Sequence, residues 1–255
     1  MRRPRIVVVC GLFLLIQAAT LAAAQPQVSR SDRSAYTAPT APPLWVPARI
    51  AFTADGHLRP ELFEPAFRST LEKNAARNSD GGCRFALGAA TSEEHSPKAT
   101  LDDVVSGSLS ILSGRVVSSE AGFYNGTPGE LFRVAIEGAP KAMGHIPTSG
   151  IARLFVANAT IKTSHGTICS RDPFAAVPQT GDHVVLFVSL EPNNLGRDII
   201  SVETRTQLVV EHDGALHAPA LILRSVPTAR SISDLIDAVR QNPHIQDVPR
   251  AEAVR

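Results

Sequence analysis

The run Gly181-Asp182-His183-Val184-Val185-Leu186-Phe187-Val188-Ser189-Leu190 decides the fold class of this 255-residue chain. Its centre is an unbroken apolar stretch from Val184 to Val188, rich in valine and bounded by Gly181 before it and Pro192-Asn193-Asn194 after it. The stretch is too short for a buried helix, and β-branched side chains suit a pleated strand. A strand without polar alternation is buried on both faces, so 183–190 reads as the middle of a sheet.

Working outward, the pattern stays β. Leu109, Ile111 and Val116-Val117 form a strand with Gly114 at a bend, Asn125-Gly126 turns the chain, and 131–136 returns. Further strands read at 151–156, 159–161, 167–169, 199–202 and 207–210, with turns at His165-Gly166 and Asp213-Gly214. Short strands at even spacing predict an antiparallel barrel or sandwich over 106–218. Outside that block the period changes. Ala48 to Leu58 alternates briefly around an Asp55-Gly56 turn, and Phe63, Phe67 and Leu71 then fall four apart on one face of a helix near 61–76. Thr100-Leu101-Asp102-Asp103 is a capped helix start, and Ser231-Ile232-Ser233-Asp234 opens a helix over 231–241 that Asn242-Pro243 ends. The fold class is therefore mainly β (α+β), with helices flanking the sheet.

The N-terminus reads as a secretory signal over 1–24: Arg2, Arg3 and Arg5, then an apolar core from Ile6 to Leu21, then Ala22-Ala23-Ala24. A membrane anchor needs about 20 apolar residues, more than this core supplies. Val9 before Cys10, and the apolar residues after it, do not fit a lipoprotein signal. The expected organisation is a signal at 1–24 and a Ser/Thr/Ala/Pro-rich disordered arm at 25–47, with Trp45 tacking it down. A mixed helical segment at 48–105, a β-barrel domain at 106–228 and a C-terminal helix and tail at 229–255 follow. The expected location is secreted or periplasmic, with no stable membrane anchor after cleavage.

Composition narrows the function classes. A chain cut after Ala24 keeps 22 basic against 24 acidic residues, a net charge of −2. Nucleic acid is therefore not an expected partner. Aromatics make up only 5% of the chain, too few for stacking platforms. Cys83 and Cys169 remain after the signal, and an exported pair reads first as a disulfide. The alternative makes Cys169 a nucleophile with His165 four residues upstream.

Signatures of catalysis are absent from the sequence: no H-E-x-x-H, no G-x-S-x-G and no phosphate loop. No cofactor is expected. On paired strands His165, His183 and His212 with Asp182 or Asp213 would supply the ligands of a zinc site, but scattered turn histidines are the commoner arrangement and no metal site is expected. Asn125-Gly126-Thr127 and Asn158-Ala159-Thr160 match the glycosylation acceptor pattern, relevant only to a eukaryotic secretory route.

The stretch Ser106-Gly107-Ser108-Leu109-Ser110-Ile111-Leu112-Ser113-Gly114-Arg115-Val116-Val117, followed by Gly181-Asp182-His183-Val184-Val185-Leu186-Phe187, resembles a loose group of uncharacterised secreted bacterial proteins. In that group a G-R-V-V strand opens a small β-barrel, and a G-D-x-V-x-L-F strand follows a Pro-containing loop. The resemblance covers roughly 100–216, with Glu137-Gly138 where the group has Lys-Gly. It implies an OB-like barrel and transfers no catalytic residue.

The function these features suggest is a non-catalytic module that binds a protein or surface ligand. Its contacts are expected on the long loops Ser118 to Glu130 and Arg171 to Gly181. Phe123 and Tyr124 are either exposed anchors there or packed beneath their own loop. The alternative is a secreted hydrolase built from His165, Cys169, Asp182 and His183.

Overall fold

The computed structural model describes residues 45–87, 99–142, 148–172, 175–189, 199–202, 204 and 206–246. The predicted signal at 1–24 and most of the arm lie outside the described residues. From Trp45 the chain forms β1 (Trp45–Pro47), α1 (Ala48–Ala51), a 3-10 turn (Pro60–Leu62), α2 (Pro65–Arg77) and α3 (Leu101–Gly107). Strands follow: β2 (Ser108–Tyr124), β3 (Thr127–Lys141), β4 (Gly150–Val156), β5 (Ala159–Thr163), β6 (Gly166–Ser170), β7 (His183–Ser189), β8 (Ile199–Ser201), β9 (Leu208–His212) and β10 (Ala215–His217). The C-terminal helices are α4 (Ala220–Ser225), α5 (Ile232–Gln241) and α6 (Pro243–Gln246). No described helix is long and apolar enough to cross a membrane.

The main sheet runs β10-β9-β7-β2-β3-β4-β8, with β1 pairing the end of β2, and β5–β6 form a separate hairpin. The apolar strand at 183–189 is central, paired with β2 on one side and β9 on the other. Val184, Val185, Phe187 and Val188 are fully buried, as a strand covered on both faces requires.

The sheet is mixed rather than antiparallel, because β8 runs parallel to β4. One core gathers Val184, Leu186 and Val188 with Phe132, Leu154, Ile200, Leu208 and Val210. Strands from both ends of the order share it, so the sheet curls over this face. No pairing among the described residues closes it into a barrel.

Turn chemistry sets the register. Asn125 and Gly126 both have positive φ, 49° and 78°, as a two-residue type I′ hairpin requires, and Tyr124 pairs directly with Thr127. The same geometry at Asp213 and Gly214 joins β9 to β10. The expected long loop at 118–130 is therefore mostly strand. Its polar residues sit on a ladder, and only the two turn residues leave it.

On the opposite face, Ile111, Val185, Phe187 and Val209 meet Leu101, Val104 and Val105 of α3, Ile222 of α4, and Ile232, Leu235, Ile236 and Val239 of α5. The α5 stripe is the one the sequence predicts, and α4 is an addition within the expected barrel segment. Both predicted capping boxes form: Asp103 closes on Thr100 and Asp234 on Ser231. Lys141, itself buried, donates from Nζ to the Val105 carbonyl at 3.0 Å, which helps satisfy the α3 C-terminus; burial pushes its ammonium pKa down.

A third core packs α2 against β2 and the β5–β6 hairpin through Val46, Leu58, Phe63, Leu71, Ala75, Phe123 and Ile168. The inner stripe of α2 is Leu71, Asn74 and Ala75, extended by Asn78; Phe67, expected there, is 45% exposed. The two asparagines form a buried polar hub. The Asn78 amide nitrogen lies within donating distance of the Asn74, Phe85 and Thr167 carbonyls, and its oxygen accepts the Arg84 and Phe85 N–H groups at 3.0 Å. Asn74 accepts the Cys169 N–H at 2.8 Å. Gly166 rests so close to the Ala75 carbonyl, at φ 129°, that a Cβ there would collide with backbone.

Candidate functional site

Cys83 and Cys169 lie at disulfide distance, with Cα atoms 5.8 Å apart, and Cys169 is fully buried. The other residues considered for hydrolysis fall into separate pairs. His165 stacks on His57 with ring centroids 4.3 Å apart, where the β5–β6 turn meets the Asp55-Gly56 turn. Asp182 bonds His212 Nδ1 at 2.7 Å and accepts the Gln179 N–H at 2.7 Å. His183 points to Glu137 at 3.8 Å. His165, His183 and His212 therefore do not gather as ligands, and the described residues contain no cluster of three metal-binding side chains.

The His212–Asp182 pair has a strong physical basis. Asp182 is only 7% exposed and ends the loop that enters β7. Its hydrogen bond, first of all, and its charge together with that of Asp213 raise the His212 pKa above 6.5, against the desolvation that lowers it.

Phe123 and Tyr124 are not exposed anchors. Phe123 is completely buried, edge-on to Phe63 at 5.0 Å and to Phe52 at 6.2 Å. Tyr124 is 4% exposed and packs on Phe155 at 5.1 Å. The end of β2 is covered on both sides, by the α1–α2 core on one and by Trp45, Leu131, Phe155 and Ile199 on the other. Both are core residues covered by other segments of the chain, neither exposed anchors nor side chains packed beneath a loop of their own. Trp45–Pro47, expected as the end of a disordered arm, instead form β1, which pairs with β2, and the indole meets Phe155 edge-on at 6.2 Å.

A wider groove lies elsewhere. The apolar core of the helical layer takes its strand residues from β2, β7 and β9, and among the described residues it does not reach the outward side of β3 and β4 at Arg133 and Arg153. There, a groove of about 640 Å³ is lined by Trp45, Pro47, Arg49, Glu120, Leu131, Arg133, Ile151 and Arg153, among others. Arg133 and Arg153 are direct cross-strand partners, so their side chains leave the same face side by side. Neither has an ion pair among the described residues. Arg49 stands across from them, its Nε 2.9 Å from Glu120. Ile151 is 42% exposed beside this charge. Sequence reasoning missed the site, although a signal was present. Leu131-Phe132-Arg133-Val134 and Ile151-Ala152-Arg153-Leu154-Phe155 each set one arginine at an outward position of an apolar strand.

A smaller hollow of about 190 Å³ lies between α2 and the two turns, walled by Phe52, Leu58, Ala75 and Ile168 with His57 and His165 at its edge. Comparison of the chain with protein-family models, curated proteins and solved structures finds no match.

Proposed function

We propose that the chain is an exported, OB-like module that binds a protein partner without chemistry of its own, and that the arginine groove is its contact surface. One observation supports this reading above the others. Two like charges stand directly opposite on neighbouring strands, an arrangement that costs stability, outside the apolar core that the described helices form on the sheet. Groups that weaken a fold are characteristic of surfaces shaped for something else. The groove also combines an apolar wall (Trp45, Leu131, Ile151) with charged donors, the mixture that gives a contact both area and orientation. Export is supported by the N-terminal signal pattern and by the cysteine pair at disulfide distance.

The test is photo-crosslinking. Benzoylphenylalanine in place of Ile151 should capture a partner from the extract in which the protein acts, while the same residue in place of Lys162, on the small hairpin, should not. The capture should vanish in an Arg133→Ala/Arg153→Ala background. Equal capture from both positions, or none from Ile151, would contradict the groove as contact surface.

A further inference from the structure

We infer that the groove takes an acidic, extended polypeptide segment carrying an apolar side chain between its carboxylates. This rests on the groove being a contact surface and adds the chemistry of what it contacts.

Arg49, Arg133 and Arg153 face one carboxylate, Glu120, and that one is already held by Arg49. The other two guanidiniums each present a planar fork of donors without an acceptor among the described residues. Such forks match carboxylates in two-point contacts, stronger and more directional than a single charged contact. Cross-strand neighbours on one face have Cβ atoms about 5 Å apart. Alternate side chains of an extended peptide leave it about 7 Å apart on one side. Flexible arginine stems bridge that difference, so two acidic residues separated by one other meet both forks.

Next comes shape. Trp45, Pro47 and Leu131 line the groove together with the half-exposed Ile151. A lone phosphate would leave that apolar surface wet, whereas a peptide with a leucine-like side chain covers it at about 25 cal/mol per Å² removed from water. A flat anionic membrane meets convex basic faces, and here the arginines line a hollow between β1–α1 and the β4 side of the sheet. The strand-borne position helps too, since arginines on paired strands are held in place more firmly than those on a loop.

The test uses the full mature chain and a fluorescein-labelled acetyl-Glu-Leu-Glu-Leu-Glu-Leu-amide probe, read by anisotropy at low salt. The peptide should bind, weaken steeply with added salt, and fail to bind when each Glu is replaced by Gln. Arg133→Gln/Arg153→Gln should weaken it by about tenfold or more, the equivalent of roughly 1.4 kcal/mol, with the thermal transition retained. Arg77→Gln, on the exposed side of α2, should leave binding unchanged. Equal binding by the double variant would overturn the inference, as would no binding at all. Inorganic phosphate or phosphatidylserine vesicles engaging the groove in place of the peptide would also overturn it. If crosslinking from Ile151 still captures a partner while the acidic peptide fails, the contact surface stands and its acidic specificity falls.

Discussion

Arg133 and Arg153 face one another across β3 and β4, and the ladder that pairs them is the same one that seats Phe132 against Leu154 in the core on the opposite side. The register that buries the phenylalanine and leucine therefore fixes the arginines as neighbours. A one-residue slip would exchange core for charge, so the arginine pair cannot drift apart without undoing the sheet.

Replacing Arg153 with Glu turns this like-charge pair into an opposite-charge pair. The expected result is a gain of about 0.5 kcal/mol, in the range for cross-strand pairs, measured by urea denaturation. A loss of stability would mean that the arginines support the fold rather than serve a ligand.

The cysteine pair closes a loop spanning 86 positions. Mass spectrometry after alkylation without reductant should show no modified thiol in exported material. Cys83→Ala/Cys169→Ala should cost about 2–4 kcal/mol. Two alkylated cysteines in the exported protein would refute the bridge.

Asn78→Ala removes the acceptor for two backbone N–H groups and the donor shared among three carbonyls, at a site with no exposure. The expected cost is about 3 kcal/mol, since buried groups left unpaired lose about 1–3 kcal/mol each. A change below about 0.5 kcal/mol would show that the hub is not needed to hold the 78–87 segment.

Much of the fold was legible because it rests on local chemistry. The apolar run at Val184–Val188, the Asn125-Gly126 and Asp213-Gly214 turns and the capping residues Thr100 and Ser231 each act over a few positions. The parallel pairing of β4 with β8 was not legible, because it joins segments over forty residues apart and leaves no turn to mark it. The long loop expected at 118–130 failed for a related reason: Ser118, Ser119 and Glu120 alternate between the two faces of β2 and are all at least partly exposed, so their polarity marks solvent beside the strand and not a chain that leaves the sheet. Asn78 ends α2, but its inward direction depends on the Thr167 and Phe85 backbone arriving from elsewhere. The groove had a sequence signal in each arginine, yet only the pairing of two strands makes a site of them.

The Asp182–His212 bond gives a pH signature. The His212 pKa is raised in the folded protein, so its contribution to stability is complete below the unfolded value of about 6.5 and fades as the pH climbs through the folded value. Wild type should exceed His212→Gln in urea stability most clearly between about pH 5 and 6, with the gap closing under alkaline conditions. A gap that widens with rising pH would contradict the pairing.

The central claim, that the groove on β3 and β4 is a binding surface built on two facing arginines, is tested most directly by arginine side-chain NMR. On titration with the acidic Glu-Leu peptide, the Nε–Hε signals of Arg133 and Arg153 should shift together and saturate, while those of Arg77 on α2 and Arg240 on α5 stay in place. Stationary Arg133 and Arg153 signals, or equal shifts at all four arginines, would contradict the account.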